Sequence, residues 1–233
     1  MSNEVIFIIQ ILIGLSFTLI AFRFGFHWLL ALIAVQAVLM NIFVLKMMNI
    51  FTLEVTGGNV LYASIFLGTD IICEHFGKEK ARQAVWIGFF ASIFLIVMSQ
   101  LIILYTPSVL DEGNFLHGTL STIFETTPRI VGTSMVSYLI SQHLDISIFN
   151  FIKKATKGRF LWLRNNVSTL VSQLIDTIFF TFVGLYGIVA NAENVWQIIL
   201  FTYLLKVIIA LLDTPFIYLS KTRLFKPRKE NSV

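Results

Sequence analysis

Asp70 and Glu74 stand four residues apart at the end of an otherwise apolar stretch, Val60–Cys73. On a helix that spacing is one turn, so both carboxylates share a face. Like charges placed there repel, and the arrangement settles by holding a cation between them or by keeping one group protonated. Either state suits a transport site. In the simpler alternative Glu74 sits at an interface with His75 and Lys78 and caps a loop.

A second constellation is Asn166, Thr169, Gln173, Asp176 and Thr177. The spacings of three and four put all five on one helical face, and such a stripe cannot face lipid. It meets another helix or a polar cavity. Lys206 and Asp213 are seven residues apart, again on one face, with Pro215 just beyond. A pairing of Lys206 with Asp176 would neutralise both charges. Arg129 follows Pro128 and opens another apolar run, where Gly132, Thr133 and Val136 continue its face. Its guanidinium can clamp a carboxylate or a polar ligand, or anchor a helix end at the headgroups. Asn41 and Lys46 close an earlier run. Both are lesser candidates than the groups above, since Lys46 is long enough to reach the interface.

The elements that must position these residues are membrane helices. Of 233 residues 57% are hydrophobic and 13% charged, with a mean hydropathy of +0.83. A soluble domain carries about a quarter charged residues. Apolar runs fall at Val5–Phe22, Phe26–Leu45, Val60–Cys73, Val85–Tyr105, Ile130–Phe151, Val167–Ala190 and Trp196–Leu219. Most approach the ~20 residues that cross a hydrocarbon core. The third, with Gly68 and Asp70 inside it, is short enough to be a broken or re-entrant segment, so the count is six or seven spans. The expected fold is therefore all-α, a polytopic bundle. Residues 1–220 form one membrane domain, and residues 221–233 form a basic tail. The first run lacks the basic start and small-residue cleavage site of a secretory signal and reads as a retained helix.

Alternate loops carry the basic residues. Lys78, Lys80 and Arg82 follow the third run, Lys153, Lys154, Lys157, Arg159 and Arg164 follow the fifth, and Lys221, Arg223, Lys226, Arg228 and Lys229 follow the seventh. The loops between hold Asp111, Glu112, Glu125 and Glu193. By the positive-inside rule the basic side is cytoplasmic, which places the N-terminus outside and the C-terminus inside. The net charge of +4 is thus explained by the bilayer, with no nucleic-acid partner.

No G-x-x-x-x-G-K-[ST] loop, H-E-x-x-H or G-x-S-x-G is present, so ATP hydrolysis, zinc proteolysis and serine hydrolysis have no motif to rest on. The expectation is a carrier rather than an enzyme, with no cofactor and no metal. Cys73, the single cysteine, can form no intrachain disulfide.

With these residues in hand, the chain resembles the vitamin uptake transporter family. The resemblance rests on Asp70-Ile71-Ile72-Cys73-Glu74-His75-Phe76-Gly77-Lys78 with Ala81-Arg82, on Pro128-Arg129-Ile130 and Ser141-Gln142-His143-Leu144-Asp145, and on Trp162-Leu163-Arg164-Asn165-Asn166. It continues through Ser168-Thr169, Gln173-Leu174-Ile175-Asp176-Thr177 and Asp213-Thr214-Pro215. These blocks extend from about Asn41 to Tyr218. One departure is His75-Phe76, where the family carries Tyr before the glycine. The resemblance implies a compact helical carrier, related in architecture to the substrate-binding subunits of energy-coupling-factor transporters. It also implies a location in the plasma membrane of a bacterium and import of deazapurine precursors of queuosine, a tRNA nucleoside.

A deazaguanine offers a ring N–H and an exocyclic amine to one carboxylate, a carbonyl to Arg, Asn or Gln, and a flat face to aromatic rings. The expected binding residues are Asp70, Glu74, Arg129, Asn166, Gln173, Asp176, Asn41 and Lys206. The expected partners are a small deazapurine such as the nitrile or aminomethyl precursor, or queuine, and the lipid bilayer. Self-association into a homo-oligomer stays open. The alternative function is a subunit working inside an ATP-driven complex. Ala31, Ala34 and Ala37 then offer a small-residue face for docking, although the Ala-x-x-x-Ala pattern is missing.

Overall fold

The computed structural model describes residues 2–51, 53–108, 115–125, 128–187, 190–225 and 227. Asp111, Glu112, Lys226, Arg228 and Lys229 lie outside them. Eight helices follow in order: α1 (Asn3–Phe24), α2 (Phe26–Phe43), α3 (Asn59–His75), α4 (Lys78–Ile103), α5 (Phe115–Glu125), α6 (Pro128–Ala155), α7 (Leu161–Phe180) and α8 (Val195–Leu219). A small antiparallel hairpin of β1 (Met47–Ile50) and β2 (Leu53–Thr56) joins α2 to α3, with Met47 opposite Thr56 and Ile50 opposite Leu53.

Contacts at the helix termini sort the bundle into two ends. At one, Phe22 of α1 packs on His75 and Phe76 of α3, Lys80 of α4 lies over the Phe26 ring of α2, and His75 reaches Ser220 after α8. At the other, the Asn3 amide donates to the Asn49 carbonyl, the Phe51 N–H donates to Glu4, and the Gln100 amide donates to the Phe124 carbonyl. Seven helices, all but α5, run between these ends. The basic groups expected to share a side, from Arg23 through Lys80, Lys153 and Arg164 to Lys221, gather at the first end.

Helices α1, α2, α4, α7 with its extension, and α8 are each long and apolar enough to cross a bilayer. Their outer faces carry bare large side chains such as Phe17, Phe90, Phe94 and Leu200. This inversion is what a lipid solvent permits. Helix α3 is different. It spans about 25 Å at 1.5 Å per residue, and nearly all of it is buried inside the others. A helix so shielded can carry Thr69 and Asp70 without exposing them to lipid. It is also continuous, which removes the re-entrant alternative and leaves seven long helices. Gly68 marks a close approach, because a Cβ there would stand 3.0 Å from the Ile33 side chain of α2. Gly88 of α4 does likewise beneath the Tyr138 hydroxyl and Ala37. Ala37 is therefore used within the bundle, whereas Ala31 remains exposed.

The sixth apolar run ends earlier than its hydropathy suggests. After Phe180 the backbone widens into a π-helical turn, Thr181–Leu185. Such a turn shifts carbonyl groups out of the regular ladder. Arg129 takes them up, its Nε donating to the Val183 carbonyl at 2.6 Å and an Nη to that of Tyr186 at 2.8 Å. The β-hairpin was also unforeseen, since both four-residue strands lie between the second and third apolar runs, where no element was expected.

Candidate functional site

Three polar layers are stacked along the inner faces of α3, α6, α7 and α8. The layer at the basic end centres on Glu74. Lys153 of α6 at 3.1 Å, Arg164 of α7 at 2.8 Å and Lys221 after α8 at 2.7 Å all engage its carboxylate. Lys153 also donates to the Glu74 carbonyl, and Arg164 donates to the carbonyls of Gly158 and Arg159 while lying 5.5 Å from the Phe149 ring. Three cations from three elements thus fasten the C-terminus of α3. The Phe76 ring of the departing dipeptide packs here on Phe22 and Phe26.

In the middle layer Asp70 does not share Glu74's cations. Its carboxyl faces that of Asp145 on α6. Asp145 also accepts from Thr169 and Ser172, each at 3.3 Å. Beside it, the Asn165 amide donates to Asp213 at 2.7 Å, Asn166 exchanges hydrogen bonds with Thr214, and Thr69 donates to Gln142 at 2.9 Å.

The third layer holds a buried ion pair, Lys206 Nζ on Asp176 Oδ2 at 2.5 Å. The other carboxylate oxygen accepts from Ser137 at 2.6 Å and from the Tyr62 hydroxyl at 3.1 Å. The Lys206 ammonium also stands 4.6 Å from the centre of the Tyr62 ring. Four elements, α3, α6, α7 and α8, therefore meet on one carboxylate.

Tyr62, Asp176 and Lys206 wall a cavity of about 60 Å³ that is also lined by Asn59, Ser134, Thr177, Phe180 and Thr202 and is roofed by Met47, Val55 and Thr56 of the hairpin. Two larger voids, of about 410 and 420 Å³, lie near the same end. The first contains Asn41, Ser99 and Gln100 against apolar walls, and the second contains Lys46 as its one charged group. The smaller cavity is the better candidate, because it alone of the three brings a carboxylate, an ammonium, hydroxyls and an aromatic face to one surface.

The eight residues singled out by sequence are thus distributed. Asp176 and Lys206 share the cavity wall. Gln173 lines a smaller void next to it, with Lys206, Thr169 and Asp213. Asp70 and Asn166 lie deeper, Glu74 lies at the basic end, and Asn41 faces the lateral void. Arg129, Gly132 and Val136 share an exposed face, from which the Arg129 guanidinium reaches the carbonyls of the π-helical turn, whereas Thr133, expected on that face, is buried. Tyr62, Ser137 and Asp145 were not singled out as site residues. Hydroxyls at Thr133, Ser137 and Ser141 recur every fourth residue, a stripe that would have located Ser137. Asp145, a carboxylate within the fifth run, carried the same warning as Asp70.

The model of the family described as "Putative vitamin uptake transporter" matches residues 56–220, from the end of the hairpin through α8. The chain belongs to the vitamin uptake transporter family. It is an integral, multi-pass membrane protein. The "Probable queuosine precursor transporter" of Bacillus subtilis (strain 168) is 37% identical over 211 residues, covering 90% of this chain and 89% of that protein. The "Queuosine precursor transporter" of Escherichia coli (strain K12) is 28% identical over 167 residues, 70% of this chain and 71% of that one. No solved structure matches. All eight residues except Asn41 lie inside the matched segment.

Proposed function

We propose that this chain imports a queuosine precursor, a 7-deazaguanine, across the plasma membrane, and that Asp176 reads the edge of the heterocycle bearing a ring N–H and an amine. The basic end faces the cytoplasm, so the cavity opens toward the outside. What supports the substrate is the pair of relatives named for queuosine precursor transport. The single observation that supports the site is the Asp176 carboxylate held in a cavity by Lys206, Ser137 and Tyr62. A polar heterocycle leaving water loses hydrogen bonds that only preformed buried partners return. Lys206, Thr177 and Thr202 are placed to serve a ring carbonyl, and Tyr62 offers the flat face. Glu74, Asp70 and Arg129 act at a distance by holding helices in register.

The carrier chemistry here is binding and release, with no covalent step. Uptake of radiolabelled precursor tests it, in cells that neither make the precursor nor have another importer. Expression of this chain should restore accumulation, whereas no accumulation despite good membrane expression would overturn the reading.

A further inference from the structure

Lys206 lines two cavities. Beyond the candidate site it borders a void of about 10 Å³ that Gln173, Thr169 and Asp213 also line. That is the space of one water, or of one ammonium group. Two acceptor atoms of these residues, Gln173 Oε1 and Asp213 Oδ2, are buried without a hydrogen-bond partner. Unpaired buried acceptors are costly, and two on residues that line one void point to an occupant that donates hydrogen bonds. The Asp213 side chain already accepts from the Asn165 amide through its other oxygen, at 2.7 Å.

Lys206 and Asp213 lie two turns apart on the same face of α8, and both border the void. The lysine tether is flexible, and the residue already borders the void. We propose that Lys206 has two stations: it rests on Asp176 when the cavity is empty, and it moves to Gln173 and Asp213 when a ligand takes Asp176. The second half rests on the proposed function. The existence of the second station does not.

The move resolves a difficulty in the site. A ligand whose N–H groups claim Asp176 competes with a fixed cation, and it would leave that cation buried and unpaired. Such an orphaned charge is among the most destabilising outcomes in a protein interior. A second carboxylate within reach removes that cost, and the displaced charge shifts one layer toward the basic end.

Thermal unfolding of purified, ligand-free protein tests the second station. Asp176→Asn removes the first carboxylate and should lower the melting midpoint modestly, because Lys206 crosses to Asp213. Asp213→Asn should also act modestly, because Lys206 stays on Asp176. Combined, they should lower the midpoint by at least about 5 °C more than the two losses added, although the carboxylates do not touch. Additive losses would overturn the proposal. If the double variant does not accumulate, adding Lys206→Met decides: recovery means an orphaned ammonium was the fault, and no recovery means it was not. Precursor binding supplies a second reading, since Asp213→Asn should weaken it about tenfold in wild type and leave it unchanged in Lys206→Met. Because the unfolding cycle contains no ligand, failure to bind a precursor would count against the proposed function and leave that result standing.

Discussion

Glu74 and Asp176 are both carboxylates enclosed among the same four elements, and they are built for opposite purposes. Glu74 is met by three cations, two of them partly open to solvent, with side-chain exposures of 28% for Lys153 and 42% for Lys221. Losing one contact leaves two. Asp176 has one cation, almost wholly enclosed, and sits on a cavity wall. The first arrangement is redundant and suits a fastening between helix ends. The second is matched one to one, so anything that binds Asp176 must rearrange it. Number and enclosure of partners, rather than the carboxylate itself, separate a rivet from a binding group.

Three substitutions press on that contrast, beginning with the largest effect. Arg164 is fully buried, and Arg164→Met strips charged donors from Glu74 and from two loop carbonyls. A loss of about 3 kcal/mol or more is expected, at about 1–3 kcal/mol per abandoned group, read as reduced membrane abundance and early unfolding. Uptake per folded molecule should be nearly unchanged. Asp176→Asn should do the reverse: abundance close to wild type and uptake lowered about 10–100-fold, the effect of one missing charged hydrogen bond of roughly 1.5–3 kcal/mol. Full uptake by this variant would make Asp176 a fastening like Glu74. Lys221→Met should be the mildest, at about 0–1 kcal/mol, because its side chain is partly solvated and two cations remain. A large loss there would show the cluster to be cooperative rather than redundant.

Much of this was legible in sequence because lipid imposes simple rules. Run lengths yield the long helices, basic loops sort their ends, and a lysine inside an apolar run needs a buried carboxylate, which Lys206 finds in Asp176. Partner choice was less legible. Asp70 and Glu74 share a helical face, yet the basic helix ends close on Glu74 alone, and Asp70 turns to Asp145, 75 positions away in sequence. Periodicity reports which face a residue occupies and is silent on which helix lies opposite. The π-helical turn was hidden because hydropathy continues through Phe182 and Val183 while the backbone changes pitch. The hairpin was hidden because two four-residue strands carry too few alternations to be distinguished from a helix end.

The central claim is that Asp176 reads the amine edge of a deazaguanine, and a binding cycle tests it most directly. Purified wild type and Asp176→Asn would each be titrated with the aminomethyl or nitrile precursor and with its analogue lacking the exocyclic amine. Removing the amine should weaken binding to wild type by about tenfold or more, and should make little difference to Asp176→Asn, where the acceptor is already gone. Equal discrimination by both proteins would contradict the account and place the reading of that edge on another group.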